Sequence, residues 1–355
     1  MAKVNPDDRQ IEYWQKRNEK LFLDGEKQGL KLAQSMKDNY ENSIKRLTSE
    51  LYIFYNQYAK EGEISLQDVK KLLSKEELKT FHKELTAYLK YAKENGYLNK
   101  ITELKLLKLK VRVSRLEALK AQIDYELSKL ANENDDLLQG YLANIYEEGY
   151  YRTIFNIEKD IGYEINFAKL NTDLIEKAVA KNYNIANYSI GKNKIWENKD
   201  SLLNILNQAI PQGLTLGYNP VKLAEITSKK LKTNFNATVR LMRTEYNLLM
   251  NEAISDGYKA CGINQYKILA TLDDRTSEIC QEMDGEIFDV SEKEVGVNYP
   301  PFHPNCRTTT IPYFEPDEIT EEFGIGTRLA KDKNGNYYEI PSNINYKEWK
   351  EKYIK

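Results

Sequence analysis

Three side chains near the C-terminal end are the best suited to chemistry: Cys280, His303 and Cys306. They are two of the three cysteines and one of the two histidines in the chain. Thiolate and imidazole are the donors that zinc prefers, in tetrahedral geometry. Three donors leave one position open, for which Asp274, Asp273 or a water is a candidate. Two other readings use the same residues. One is a metal-free knot of reduced cysteines with a hydrogen-bonded histidine, and the other is a disulfide formed after cell lysis. Pro300, Pro301 and Pro304 stiffen the backbone around His303, which suits a site or a tight knot better than a linker. Cys280 with His303 could also form a nucleophile–base pair. The helix signals place Cys280 late in a short turn that begins at Asp274, away from a helix start, which disfavours an activated thiol.

A second group is Arg243-Thr244-Glu245, inside a helical pattern. Arg243 and Arg275 are candidates for an ionic lock with Glu245, Asp273 or Asp274, because guanidinium and carboxylate pair bidentately. The enzymatic alternative makes Glu245 an acid or base and Arg243 an anion clamp. A third group is basic: Lys100, Lys105, Lys108, Lys110, Arg112, Arg115 and Lys120 stand against only Glu103 and Glu117. Lys105, Lys108, Lys110, Arg112 and Arg115 form a candidate surface for double-stranded DNA or an acidic protein. The competing reading is a solvated helix face. No aromatic residues interleave there, which argues against single-strand binding. His82 reads as a surface or satisfied histidine, and Cys261 as a buried, inert thiol.

The elements that must position these groups are mostly helical. Residues 7 to about 60 repeat apolar positions at helical spacing. Ser65 with Asp68 and Ser74 with Glu77 have the form of capping boxes. Helical pattern resumes over 98–131 and 134–158. Gly162 to Phe167 alternates like a short strand, and Asn182 to Trp196 is turn-like. Helices are expected over 198–214, from Asn219-Pro220 to about 231, and over 235–260. Gln265–Thr271 and Arg307–Tyr313 read as strands, the second bringing Cys306 back towards Cys280. Asn334-Gly335 suggests a hairpin.

The fold class expected is mainly α, with a small α+β C-terminal module and an elongated helical region over 1–160. Residues 161–197 form a boundary, 198–315 the module and 316–355 a tail. Charged residues make up 30% of the 355, and net charge is −2, so bulk charge does not argue for nucleic acid. No stretch reaches the roughly 20 apolar residues of a membrane span. The N-terminus lacks the apolar core of a signal peptide. The odd cysteine count fits a reducing compartment.

Three motifs in order carry a resemblance: Arg243-Thr244-Glu245, then Asp274-Arg275-Thr276-Ser277 with Cys280, then Pro300-Pro301-Phe302-His303-Pro304-Asn305-Cys306-Arg307. Together they resemble the phage Mu F-like family of minor head, or head morphogenesis, proteins, over roughly residues 200–315. Ile340 to Trp349 is similar to the tail that often closes such proteins. The resemblance implies a minor capsid protein that binds the portal and the procapsid or its scaffold and contacts packaged DNA. It would act in the host cytoplasm during assembly and then in the capsid. It also favours the ionic lock over an active site. Some members carry a toxin domain at the C-terminal end, and Arg-Thr-Glu invites comparison with ADP-ribosyltransferases. The expectation here is against one, since only about 40 residues follow Tyr313. The alternative to a head protein is a metal- or cysteine-dependent enzyme centred on Cys280 and His303, acting in head maturation or DNA entry. No cofactor is implied beyond a candidate zinc.

Overall fold

A computed structural model of the protein describes residues 6–59, 64, 66–95, 98–162, 164–181, 183–185, 188–191, 193–271, 276–314, 327–331 and 337–341. Helices dominate: α1 (Pro6–Tyr58), α2 (Leu66–Lys70), α3 (Lys75–Glu94), α4 (Leu98–Leu109), α5 (Arg115–Ile161), α6 (Thr172–Val179), α7 (Lys194–Thr215), α8 (Pro220–Ala260) and α9 (Glu278–Met283). Strands β1 (Tyr183–Ile185) and β2 (Tyr188–Ile190) form one hairpin. Strands β3 (Gln265–Leu269), β4 (Ile287–Asp289) and β5 (Thr309–Tyr313) form an antiparallel sheet in the order β4-β3-β5. Strands β6 (Thr327–Lys331) and β7 (Tyr337–Pro341) pair antiparallel around the expected Asn-Gly turn, which itself lies outside the described residues. The fold class is therefore mainly α with a small β element near the C-terminal end.

The chain divides into two compact units, each assembled from separate segments. One comprises residues 1–34, 136–194 and 238–355, and the other residues 35–135 and 195–237. The second is helical, with a core of Tyr40, Leu47, Leu51, Phe54, Leu119, Ile123, Leu127, Leu206 and Leu223. The first holds the sheet. Its core joins Trp14 and Leu21 of α1, Ile145 and Ile157 of α5, and Met250, Ile254 and Tyr258 of α8 to Tyr266 and Ile268 of β3 and to Cys280, Tyr299, Phe302 and Cys306. Tyr266 and Ile268 alternate with less buried neighbours, so one face of β3 points into this core.

Several expected elements differ in the structure. The run over 98–131 breaks at 110–114, and α5 starts there on a capping box. Ser114 Oγ accepts from Glu117 N at 3.3 Å, and Glu117 Oε2 accepts from Ser114 N at 2.8 Å. The expected gap at 232–234 is absent, and α8 runs unbroken for 41 residues. The polar side chains there find partners that leave the backbone helical: Thr233 Oγ1 donates to Lys229 O, and Asn234 Nδ2 donates to Asn198 O. Of the strand expected at 162–167, the described residues 164–167 are irregular. Side chains of α5 replace a sheet ladder: Ile165 N donates to Glu158 Oε1, Leu170 N donates to Tyr151 Oη, and Tyr150 Oη donates to Ala168 O. Conversely, the turn-like stretch after residue 182 contains the β1–β2 hairpin. The Ser74–Glu77 capping box of α3 is present, while Ser65 lies outside the described residues.

Candidate functional site

Helix α8 carries a row of polar residues, Thr244, Asn247, Asn251 and Tyr258, at spacings of three, four and seven, so they share one face. All four are buried. The segment from Tyr299 to Thr310 hangs on this row. Asn305 N donates to Thr244 Oγ1 at 3.1 Å. Thr308 O accepts from Asn247 Nδ2 at 3.1 Å and from Asn251 Nδ2 at 3.2 Å. Thr309 Oγ1 donates to Asn251 Oδ1 at 3.0 Å, and Tyr299 Oη donates to Asn251 O at 2.6 Å. The hydroxyls of Tyr258 and Thr310 lie 3.3 Å apart. The loop is thus fixed to the helix by neutral hydrogen bonds in the core.

Within that segment, His303-Pro304-Asn305-Cys306 is a tight turn. Cys306 N donates to His303 O at 3.1 Å, and Asn305 has φ +59°. Proline second and a left-handed asparagine third is the pattern of a type II turn. The turn sets His303 and Cys306 at its two ends. From the other side, Ser277 in an extended conformation ends the loop after β3, and Cys280 is the third residue of α9. This corrects the expected placement late in a turn: Cys280 stands in the first turn of a short helix. Ala270 N donates to Asp284 Oδ1 at 2.7 Å, which ties the end of α9 back to β3.

These elements bring three donor atoms together. Cys280 Sγ lies 3.3 Å from His303 Nε2 and 3.7 Å from Cys306 Sγ, and all three donors fall within 4.8 Å of one another. His303 Nδ1 contacts Pro304 O at 2.9 Å. A carbonyl can only accept, so Nδ1 carries a hydrogen there and Nε2 faces the sulfurs. Cys280 is 2% exposed and Cys306 3%, while His303 is half-buried. Hydrogen bonding from Cys306, and then from His303, holds the Cys280 thiol down at about 4 against the opposing effect of burial. Ser277 acts in the same direction, although its Oγ is buried without a hydrogen bond of normal geometry. Cys306 is pushed up, first by its bond to Cys280 and then by burial. His303 is raised by Cys280. The hydrogen bonds from Cys306 and His303 thus favour the thiolate form of Cys280 over that of Cys306.

The remaining candidates fall elsewhere. Asp273, Asp274 and Arg275 lie outside the described residues. Arg243 is exposed and Glu245 buried, on opposite sides of α8, as positions i and i+2 must be. Glu245 Oε1 accepts from Gly191 N at 2.8 Å, which links α8 to the hairpin. Of the basic stretch, Lys105 and Arg112 are exposed, but Arg115 stacks over Tyr58 at 4.0 Å and lies 3.8 Å from Glu77. Lys110 pairs with Glu117 at 3.3 Å, and Lys108 donates to Thr86 Oγ1 at 2.8 Å. Contacts within the same unit thus occupy three of the five cations proposed for DNA. His82 Nε2 meets Lys110 O at 3.2 Å. Cys261 is half-buried, and burial pushes its thiol up. Sequence reasoning missed Asn247 and Asn251. The signal that could have found the turn between His303 and Cys306 was the Pro-Asn pair.

A helical protein that fixes a three-stranded sheet and a Cys/His loop onto one long helix is the class that fold and site define. Residues 204–311 match the family described as Phage Mu protein F like protein. The chain is 26% identical over 283 residues to the NAD(+)--arginine ADP-ribosyltransferase EFV of Enterococcus faecalis, covering 72% of this chain and 55% of that protein. It is 22% identical over 208 residues to an uncharacterized protein of Haemophilus influenzae, covering 58% of this chain and 45% of that one. The chain thus spans about half the length of the curated relatives it matches. No solved structure matches.

Proposed function

We propose that this protein is a minor head protein of a tailed bacteriophage or prophage, acting in head morphogenesis by binding the portal and the procapsid. The match of residues 204–311 to the Phage Mu protein F like family carries this reading. The geometry supports a binding role over catalysis. Both sulfurs of the Cys/His group are buried, out of reach of a polymeric substrate. Thr244 and Glu245 are engaged by Asn305 N and Gly191 N, which supports a packing role for these two side chains of α8. No helix among the described residues is long and apolar enough to cross a membrane, in keeping with assembly on a particle. Likeness to a protein named as an ADP-ribosyltransferase extends over 72% of this chain, and the engagement of Thr244 and Glu245 in packing is what favours the binding reading over that activity.

The test is co-purification. The full chain, co-expressed with the portal protein of the same phage, should elute with it as a complex of fixed stoichiometry. Separate elution at all protein concentrations would sink portal binding. Contact with packaged DNA is a finer part of the proposal. It rests on Lys105 and Arg112, and it requires binding that weakens steeply with salt. Flat or absent binding at low salt removes it.

A further inference from the structure

We infer that Cys280 Sγ, His303 Nε2 and Cys306 Sγ bind one thiophilic divalent cation, zinc, which closes the C-terminal sheet module. The donors come from two separate stretches, the first turn of α9 and the two ends of the Pro-Asn turn. They converge within 4.8 Å of one another. Two thiolates on one tetrahedral zinc, each at about 2.3 Å, stand about 3.8 Å apart. The observed separation of 3.7 Å matches that edge, whereas a disulfide would need about 2.05 Å. Both cysteines are free thiols.

The histidine is set as a ligand. Its Nδ1 hydrogen bonds to the Pro304 carbonyl at 2.9 Å, which turns the Nε2 lone pair towards Cys280. A carbonyl on the distal nitrogen is a common way to fix a metal-bound imidazole. A divalent cation takes the place of the protons these three atoms otherwise share, and brings positive charge to two buried sulfurs. Its fourth position is left to a water. Ser277 Oγ, three residues before Cys280, is buried without a hydrogen bond of normal geometry. The loop around the donors is held by Asn247 and Asn251 of α8, so the site is preorganised by the core. A cation here is structural whatever partner the protein meets.

The experiment uses the full chain, purified under reducing conditions and analysed for metal by mass spectrometry. One zinc per chain is expected. After removal by chelation, titration with cobalt(II) should give the thiolate-to-cobalt charge-transfer band and the intense visible bands of a tetrahedral site. Cys261→Ser should keep the metal, and Cys306→Ser and His303→Ala should lose it. The cobalt titration needs no variant, so a substitution that fails to fold does not decide the outcome. Failure of the unmodified chain to take up zinc, with a cobalt spectrum lacking the charge-transfer band, overturns the inference. Full zinc occupancy in a folded Cys306→Ser variant overturns it equally, and so does stoichiometric copper or iron in zinc's place.

Discussion

Replacing Asn251 by alanine tests whether the polar row of α8 holds the Cys/His loop. The side chain is fully buried. Its amide donates to Thr308 O at 3.2 Å and to Asn247 Oδ1 at 3.1 Å, and its carbonyl accepts from Thr309 Oγ1 at 3.0 Å. Thr308 O keeps a second donor in Asn247 Nδ2. Two buried groups, Asn247 Oδ1 and the Thr309 hydroxyl, lose a partner inside the core. At about 1–3 kcal/mol for each buried polar group left unsatisfied, the substitution should cost about 2–6 kcal/mol. Asn251→Asp should cost more, because it sets a carboxylate against Thr308 O and Asn247 Oδ1. Urea unfolding followed by circular dichroism gives the midpoint shift. Native-state labelling of the cysteines with a chromogenic disulfide gives a local readout, and the loop thiols should react faster in Asn251→Ala. A loss below about 0.5 kcal/mol, the level of an ordinary surface substitution, with unchanged labelling would refute the reasoning.

Other outcomes follow from packing and charge. A Cβ on Gly257 of α8 would sit 2.8 Å from Thr153 Cγ2 and 2.9 Å from Thr153 Cβ of α5, so Gly257→Ala should destabilise by about 1–3 kcal/mol in urea unfolding. Gly140 of α5 has nothing within 4 Å of such a Cβ, and Gly140→Ala should stabilise by about 0.5–1 kcal/mol through helix propensity. The opposite order would contradict a close α5–α8 approach. Burial raises Glu84, and burial followed by repulsion from Glu84 and Glu126 raises Glu50. Folded-state values above the unfolded ones mean stability that is present below the ordinary carboxylate range and lost as pH climbs through the raised values. Glu84→Gln should therefore raise the melting temperature at neutral pH and flatten its fall as pH climbs above the ordinary carboxylate range; an unchanged slope would count against this. Ser114→Ala removes the N-terminal cap of α5 and should cost about 1 kcal/mol by the same unfolding measurement.

The sequence was most legible where a local rule acts alone. Apolar periodicity marks α1. Asn219 caps α8, its Oδ1 accepting from Lys222 N at 2.9 Å, with Pro220 as the first helical residue. Strands at 265–271 and 307–313 were visible as β-branched or aromatic runs, and they pair directly as β3 and β5. What stayed hidden depends on distant partners. Lys232-Thr233-Asn234 looks like a break until Asn234 meets Asn198. The alternation at 162–167 looks like a strand until tyrosines of α5 take up the backbone downstream. Cys280, His303 and Cys306 were recognisable by residue type. Of the residues that position them, Asn247 and Asn251 were not, because a polar residue in a helical pattern reads as solvent-facing, and Thr244 stood out only as part of Arg243-Thr244-Glu245. Only the fold shows that these three are buried and turned towards the loop.

The central claim is membership of a phage head, and quantitative mass spectrometry of purified procapsids and virions tests it most directly. The particles should come from the phage or prophage that encodes this chain, with and without its portal protein. A low, fixed copy number that disappears when the portal is absent is the expected result. Particles that assemble and package DNA while containing none of this protein would contradict it.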